Sequence, residues 1–441
     1  MGFHKKLETE KESMVLENVI IRHKSHGYCR VNILIQESVI KKIDIVEKQI
    51  QDFSNNTYSF FVTPGFVNSH LHPNQLFDRR ILDGLDLHAL LQKMHTQYNK
   101  TEQDRYMHAL FVVLDAIRCG ATTLYSVASY PMPVINAYKT IGAKGAVSCF
   151  FNDQWETKDE PPPVMPLDTI EEQFAALITQ KTDNVAIHIG TASIRSASNR
   201  LLVLLDDLAK KYNTRVNMHV SECAEDVVLC KKFRGTTPIR LLDQLGVLHD
   251  IWNLIHVVAI DEHEIELLAR RGTSVVHCPI SNAKTGVGIA PVPQMLKKGV
   301  SVGLGTDACS NNNTNNIMNE AYFALLLHAA NNKNATIISL EEIMHFLITN
   351  GYAMLGKKQK GIIQEGEPAD ILLWELYTNS FVPLCYGNFE SAIFYNAPDI
   401  KPHTVIIDGK KIVENYTFTN FVEKEIMNQA NRCACKFYKS H

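Results

Sequence analysis

No apolar run in this chain approaches the roughly 20 residues needed to cross a bilayer, so a membrane-spanning role is not expected. An excess of one charge is missing as well. Lys and Arg number 44 against 47 Asp and Glu, a formal net charge of −3. Such a balance gives no electrostatic footprint for nucleic acid or for an anionic membrane surface. No internal repeat and no low-complexity linker is present, which argues against a solenoid or tethered modules. The N-terminus, Met1-Gly2-Phe3-His4-Lys5-Lys6, opens polar and does not become the apolar core of a secretory signal. Lys6 stands where a myristoylation start needs Ser or Thr. The ten cysteines lack the spacing of a disulfide framework. Cys119, Cys149, Cys230 and Cys278 lie in apolar runs and read as buried thiols. Cys433-Ala434-Cys435 has no further Cys or His at ligand spacing and reads as an inert pair. The expectation is a reduced, cytoplasmic protein.

What is there fits a soluble enzyme. With 441 residues the chain exceeds one ordinary compact domain, but a barrel with an attached smaller domain accommodates it. Eight apolar runs lie near Gly65–His70, Ala121–Val127, Gly145–Phe151, Val185–Gly190, Arg215–Val220, Asn253–Val258, Ser274–Cys278 and Val300–Gly305. They alternate with helix-like stretches such as Gln103–Cys119, Leu201–Tyr212, Glu262–Arg271 and Asn319–Ala330. Eight strands separated by helices is the count of an α/β protein of the (β/α)8 TIM-type barrel class. Shorter β-type runs flank the barrel, over Met14–Ile45 and Ile362–Val413, and Phe421–Tyr438 reads as a final helix.

Several runs end in a residue able to bind a cation or move a proton. The first ends in His70-Leu71-His72, whose imidazoles share one face because side chains alternate along a strand. Others end in His219, followed by Val220-Ser221-Glu222, in His256, and in Gly305-Thr306-Asp307. The C-terminal ends of barrel strands form one mouth, where these residues would meet. Neutral imidazole and carboxylate suit Zn²⁺ or Fe²⁺.

These motifs resemble the amidohydrolase superfamily, in the branch of adenosylhomocysteine/methylthioadenosine deaminases, guanine deaminases and triazine hydrolases. The resemblance runs from about Val15 to Val413. It rests on Pro64-Gly65-Phe66-Val67-Asn68-Ser69-His70-Leu71-His72, His219-Val220-Ser221-Glu222, His277-Cys278-Pro279-Ile280-Ser281-Asn282, and Gly305-Thr306-Asp307 with Ala308-Cys309-Ser310-Asn311-Asn312. It implies that the flanking β segments pair into one small discontinuous β-sandwich. The division expected is 1–64 and 360–420 for the sandwich, 65–359 for the barrel and 421–441 for the C-terminal helix. His70, His72, His219 and Asp307 are assigned as ligands of one divalent metal, Zn²⁺ or Fe²⁺. Strand four, Val185–Gly190, lacks the Lys that dinuclear relatives carboxylate. The metal lowers the pKa of a bound water toward neutrality, and Asp307 accepts a proton. By the resemblance, Glu222 is the general acid/base, and His256 helps activate water and stabilise the tetrahedral intermediate.

The substrate side matches less well. Gln75, three residues past His72, occupies a place where guanine deaminases bond the base edge. The ribose-binding Glu of the nucleoside deaminases is absent around Asp86 and His88, and their Pro-His after strand four is replaced by Thr191-Ala192-Ser193-Ile194-Arg195. Adenosine, methylthioadenosine and adenosylhomocysteine are accordingly expected to be poor substrates. Gln75, Arg195, His88 and His277 are the substrate-binding candidates, with Asp86, Trp155 and Asn312 behind them. His277 either lines the site or shapes its loop, while Ser281 and Asn282 fix that loop. His188 reads as a core residue, and His263, His328 and His345 as structural or exposed. The expected activity is hydrolytic deamination of an amidine- or guanidine-type carbon in a small molecule, by a homodimer or higher homo-oligomer. The alternatives are ring-opening or chlorohydrolase chemistry and a catalytically silent binding barrel.

Overall fold

The computed structural model describes residues 13–53, 58–81, 83–90, 100–157 and 164–438; the remainder of the outermost segments named above lies outside that set. The described residues open with β1 (Ser13–His23), β2 (Gly27–Gln36), β3 (Val39–Glu47) and β4 (Phe60–Pro64). In β2, Cys29, Val31, Ile33 and Ile35 are buried, and the residues between them are not, the period of two that a strand with one covered face requires. β1 and β3 pair antiparallel with β2, and β4 runs parallel to β1.

Gly65 separates β4 from the first barrel strand, β5 (Phe66–Leu71). Then come β6 (Ala121–Ala128), β7 (Lys144–Phe150), β8 (Val185–Ser193), β9 (Val216–Val220), β10 (Trp252–His256), β11 (Ser274–His277) and β12 (Val302–Leu304), each parallel to its neighbours. Every residue of β6 and β7 is buried, as in strands covered on both faces. The sheet closes where Leu71 bridges Asp307, whose N–H donates to the carbonyl of His70 at 3.0 Å.

The helices that matter to the site are α1 (Glu102–Arg118), α2 (Ala224–Arg234), α3 (Pro279–Lys284) and α4 (Ile317–Asn332), with α5 (Glu423–Tyr438) at the end of the chain. α1 begins at a capping box, Thr101 accepting from the N–H of Asp104 while the Asp104 carboxylate accepts from that of Thr101. α5 packs beside α1, where Arg118 meets Glu423 at 2.5 Å.

After the barrel, β13 (Ile371–Glu375), β14 (Thr404–Ile407), β15 (Lys410–Glu414) and β16 (Thr417–Phe418) return to the first sheet. β13 pairs antiparallel with β4, from Ile371 opposite Pro64 to Glu375 opposite Phe60. Both ends of the chain thus build one eight-stranded sheet in the order β16-β15-β14-β13-β4-β1-β2-β3. A buried ion pair ties it to the barrel, Lys144 Nζ lying 2.8 Å from Asp370 Oδ2. The large apolar core fills the barrel and its helix layer, and a smaller one lies around Ile21, Val31, Ile371 and Ile406.

Candidate metal centre and catalytic cavity

The strand ends bring five chemistry-bearing side chains to one point. His70 is the penultimate residue of β5 with His72 just beyond it, His219 lies in β9, His256 ends β10, and Asp307 follows β12 by three residues. The Nε2 atoms of His70 and His72 are 3.0 Å apart, and each is 3.2 Å from Nε2 of His219. Asp307 Oδ1 stands 3.2 Å from Nε2 of both His70 and His72. His70, His219, His256 and Asp307 also offer ligand atoms that all lie within 4.8 Å of one another.

These nitrogens cannot satisfy one another, because a neutral imidazole donates from one nitrogen only. Nδ1–H of His219 donates to the carbonyl of Ala192, which leaves Nε2 as a lone pair facing the others. Burial holds His219 well below the ordinary imidazole range, assisted by the His70 and His72 charges. Burial brings His70 to about 4, against the hydrogen bond to Asp307. Burial pushes the Asp307 carboxyl up, yet hydrogen bonds from His70 and His72 keep it well below its usual value. Neutral imidazoles around an ionised carboxylate are the donor set of a divalent Zn- or Fe-type cation, and the residues fit one.

Local backbone strain sits at the same place. Ser221, His256, Val257 and Asp307 have φ of +49°, +71°, +47° and +58°. Left-handed conformations of non-glycine residues cluster at functional sites, and for a β-branched residue such as Val257 they are rare. Gly305 is required for a different reason: a Cβ there would meet the Cβ of His70 at 2.6 Å.

A layer of polar side chains behind the centre aims these groups. Asp307 Oδ2 accepts from Ser281 Oγ at 2.6 Å and Asn311 Nδ2 at 3.1 Å, which leaves Oδ1 for the cluster. Asn282 Oδ1 takes Nδ1–H of His256 at 2.8 Å and so turns Nε2 of that ring inward. Glu320, fully buried on α4, accepts from the N–H of Ile280 at 3.1 Å and from Asn312 Nδ2, which also donates to the carbonyl of Thr306. Glu320 thereby joins the loop that carries Ser281 and Asn282 to the loop that carries Asp307. Sequence reasoning missed Glu320; an acidic residue in the first turn of a largely apolar helix was its only signal. Asp226 was missed too, and its carboxylate accepts the N–H of Glu222 at 2.9 Å.

The centre opens into a cavity of about 790 Å³. Glu222 lines it, with Oε1 3.5 Å from Nε2 of His256. Burial raises its carboxyl well above the usual range, reinforced by the negative charges of Asp307 and Asp226. Gln75 and Arg195 line the cavity as well. The Gln75 amide already accepts from Ser310 Oγ at 3.2 Å, and its nitrogen lies 3.4 Å from Nδ1 of His72. Arg195 is buried, its Nε and Nη2 donating to the carbonyl of Glu156.

The other two substrate-binding candidates stand elsewhere. His88 is 3.8 Å from Glu225, its side chain 41% exposed, and is not among the lining residues. His277 lies behind the centre, Nε2 to Nε2 with His328 at 3.2 Å, and does not line the cavity either. Of the secondary candidates Trp155 lines the wall, whereas Asp86 and Asn312 do not. His188 sits in the barrel core against Tyr125, and burial lowers its pKa to about 3.

Comparison with known proteins agrees with this architecture. The family model of the amidohydrolase family matches residues 61–412. A 5′-deoxyadenosine deaminase from Methanocaldococcus jannaschii is 28% identical over 428 residues, covering 95% of this chain and 98% of that one. A 5-methylthioadenosine/S-adenosylhomocysteine deaminase from Thermoanaerobacter pseudethanolicus is 30% identical over 374 residues, 84% of this chain and 86% of that one. Among solved structures, an atrazine chlorohydrolase from Arthrobacter aurescens TC1 complexed with zinc superposes with TM-score 0.83 at 21% identity, over 94% of this chain and 100% of that one. An adenosine deaminase from Xanthomonas campestris with bound zinc gives 0.83 at 20%, over 96% and 98%. The chain belongs to the amidohydrolase family and is a metal-dependent hydrolase acting on non-peptide C–N bonds.

Proposed function

We propose that this amidohydrolase deaminates an aminopurine-bearing small molecule, with one divalent cation per chain, zinc before iron, held by His70, His72, His219 and Asp307. The carrying observation is the convergence of three Nε2 atoms at 3.0–3.2 Å from one another, two of them 3.2 Å from Asp307 Oδ1, in the cavity that Glu222 also lines. The names of the curated relatives, adenosine-type deaminases, support a purine over a free guanidine. The zinc bound in two of the structural neighbours supports the choice of metal.

A cation bound there supplies water that ionises near neutral pH. The remaining chemistry belongs to the side chains. Water oxygen adds to the carbon that bears the amine. Asp307, kept ionised by its histidine contacts, takes the proton from that water. Glu222, kept protonated by burial, donates to the adjacent ring nitrogen, so the ring accepts the electron pair displaced by the new C–O bond. His256 faces the same space through Nε2, its other nitrogen committed to Asn282. It bonds the added oxygen. The proton held by Asp307 then reaches the amine through Glu222, the C–N bond breaks and ammonia leaves. The remaining proton on the added oxygen passes to Glu222 as the C=O forms, which leaves Asp307 ionised and Glu222 protonated again. Strained, hydrogen-bonded groups of this kind need little rearrangement during the reaction.

The test is ammonia release by metal-replete protein from a panel of aminopurine nucleosides, triazines and guanidines. Ammonia from the purines, abolished by chelation and restored by Zn²⁺, is the expected result. Chloride release, ring opening without ammonia, or turnover confined to non-purines would overturn the reading.

A further inference from the structure

A second route joins His72 to Asp307, through the loops that follow β5 and β12. Asn311 Nδ2 lies 3.1 Å from Asp307 Oδ2, and Asn311 Oδ1 lies 3.0 Å from Ser310 Oγ. Ser310 Oγ lies 3.2 Å from Gln75 Oε1, and Gln75 Nε2 lies 3.4 Å from Nδ1 of His72. Ser310 and Asn311 are buried, so a mismatched polar contact here is not relieved by water and costs free energy.

Two mismatches stand along this route. Ser310 has one hydroxyl proton, yet it faces two carbonyl oxygens, Asn311 Oδ1 and Gln75 Oε1. His72 has the complementary difficulty. To bind a cation through Nε2, its ring must carry the proton on Nδ1, and that N–H faces the NH2 group of Gln75. Two donors facing each other repel, and 3.4 Å is longer than a formed bond. One half-turn of the Gln75 amide removes both mismatches, because its two ends are alike in size and exchange places in the same space.

The Asn311 amide has no such freedom. A carboxylate that binds a cation is ionised and only accepts. Asn311 must therefore point Nδ2 at Asp307 and its oxygen at Ser310. The Ser310 proton goes to that oxygen, which leaves a hydroxyl lone pair toward Gln75. Gln75 answers with Nε2–H, and this turns Oε1 to His72. The direction imposed from Asp307 is thus the one that His72 needs as a ligand.

We propose that Gln75 is a positioning residue of the metal site. Its amide oxygen accepts Nδ1–H of His72 and fixes the tautomer that presents Nε2, while its nitrogen donates to Ser310. The inference rests on the assignment of His72 as a ligand and is independent of the substrate. It removes Gln75 from base-edge reading, because both ends of the amide are used. His219 has the same arrangement with a backbone acceptor, the carbonyl of Ala192. An acceptor on Nδ1–H also makes Nε2 a stronger donor atom. The two loops do not depend on the Gln75 side chain alone. Arg79 Nε donates to the carbonyl of Asn313 at 2.8 Å, and Cys309 Sγ to the main-chain carbonyl of Gln75 at 3.5 Å.

The test measures the Zn²⁺ dissociation constant of the full chain by chelator competition, in the wild type, Gln75→Met, Gln75→Glu and His72→Ala. Gln75→Met fills the same space without an acceptor and should weaken zinc about 10- to 100-fold. Gln75→Glu, which restores an oxygen toward His72, should return to within about threefold of wild type. In cobalt(II)-loaded protein, one ligand Nδ1–H signal in the proton NMR spectrum should exchange with solvent faster in Gln75→Met, and the others should not change. Unchanged zinc affinity in Gln75→Met, with His72→Ala strongly weakened, would overturn the positioning role and leave the metal assignment standing. A loss in Gln75→Met that Gln75→Glu does not restore would reduce the residue to packing and overturn the role as well. Wild-type affinity in His72→Ala would overturn the ligand assignment, and the inference with it.

Discussion

The floor and the wall of the catalytic cavity are built by different means. The floor is made of strand ends, where His70, His219 and His256 are placed by parallel register and by barrel closure at Leu71 and Asp307. The wall is made largely of the loops that follow the strands, where Arg195 is held by the carbonyl of Glu156 and lies over the Trp155 ring. Floor positions are dictated by the fold and carry the chemistry common to it. Wall positions depend on local loop conformation and carry what distinguishes one substrate from another.

Removing one floor ligand should have the largest effect. Asp307→Ala is expected to drop bound metal well below one per chain, with activity at background; full metal content by elemental analysis would break the assignment. Glu222→Gln should retain the metal and lose about 10²- to 10⁴-fold in kcat. Near wild-type turnover in that variant would remove Glu222 from proton transfer. Asn282→Ala, which frees the His256 ring behind the floor, should cost about 10- to 100-fold, the usual scale for groups that orient a site. An unchanged rate would show that the ring needs no such support.

A smaller effect concerns stability. Burial raises Glu320 from its ordinary value to about 8. The folded state therefore holds a proton that the unfolded chain has released above about pH 4.5. The stability tied to Glu320 is present below that pH and is lost as pH rises through about 8. Glu320→Gln should flatten that slope in denaturant titrations at pH 6 and pH 9, and equal slopes in the two proteins would contradict it. The smallest effect belongs to His88, which stands off the wall: His88→Ala should change kcat/KM by less than about twofold, as surface substitutions away from a site usually do. A tenfold loss would bring that residue back into the binding region.

The contrast also explains what the sequence discloses. All eight apolar runs contain or overlap barrel strands, and Glu262–Arg271 coincides with a helix, because period and burial are local properties of the chain. The ends of those runs, together with the motif order, delivered the groups on the floor. Loop residues were harder to read. His88 and Arg195 both read as polar groups near the barrel mouth, Arg195 ahead of His88, yet one pairs with Glu225 and the other lines the cavity. Nothing near either residue encodes that choice. Arg195 is set by Glu156, 39 positions away, and Arg234 further braces the same turn through the carbonyls of Ile194 and Ala197. Ser281 and Asn282 were read as loop-fixing; they also orient Asp307 and His256, contacts that span 26 residues each. Glu320 acts across 40 residues, through a backbone N–H that no side-chain pattern reveals.

The join between β4 and β5 fixes an order of events during synthesis. β4 lies between β1 and β13, and His70 follows Pro64 by six residues. A nascent chain that has emerged only to Met354 contains His70, His72, His219, Glu222, His256 and Asp307, yet β4 still has one bare edge, because its partner Ile371–Glu375 has not appeared. Bare strand edges invite pairing with other chains, and contacts this distant in sequence form late. The first barrel strand therefore leaves the ribosome before the segment that covers the edge of β4, and that edge is open to pairing with other chains during the interval.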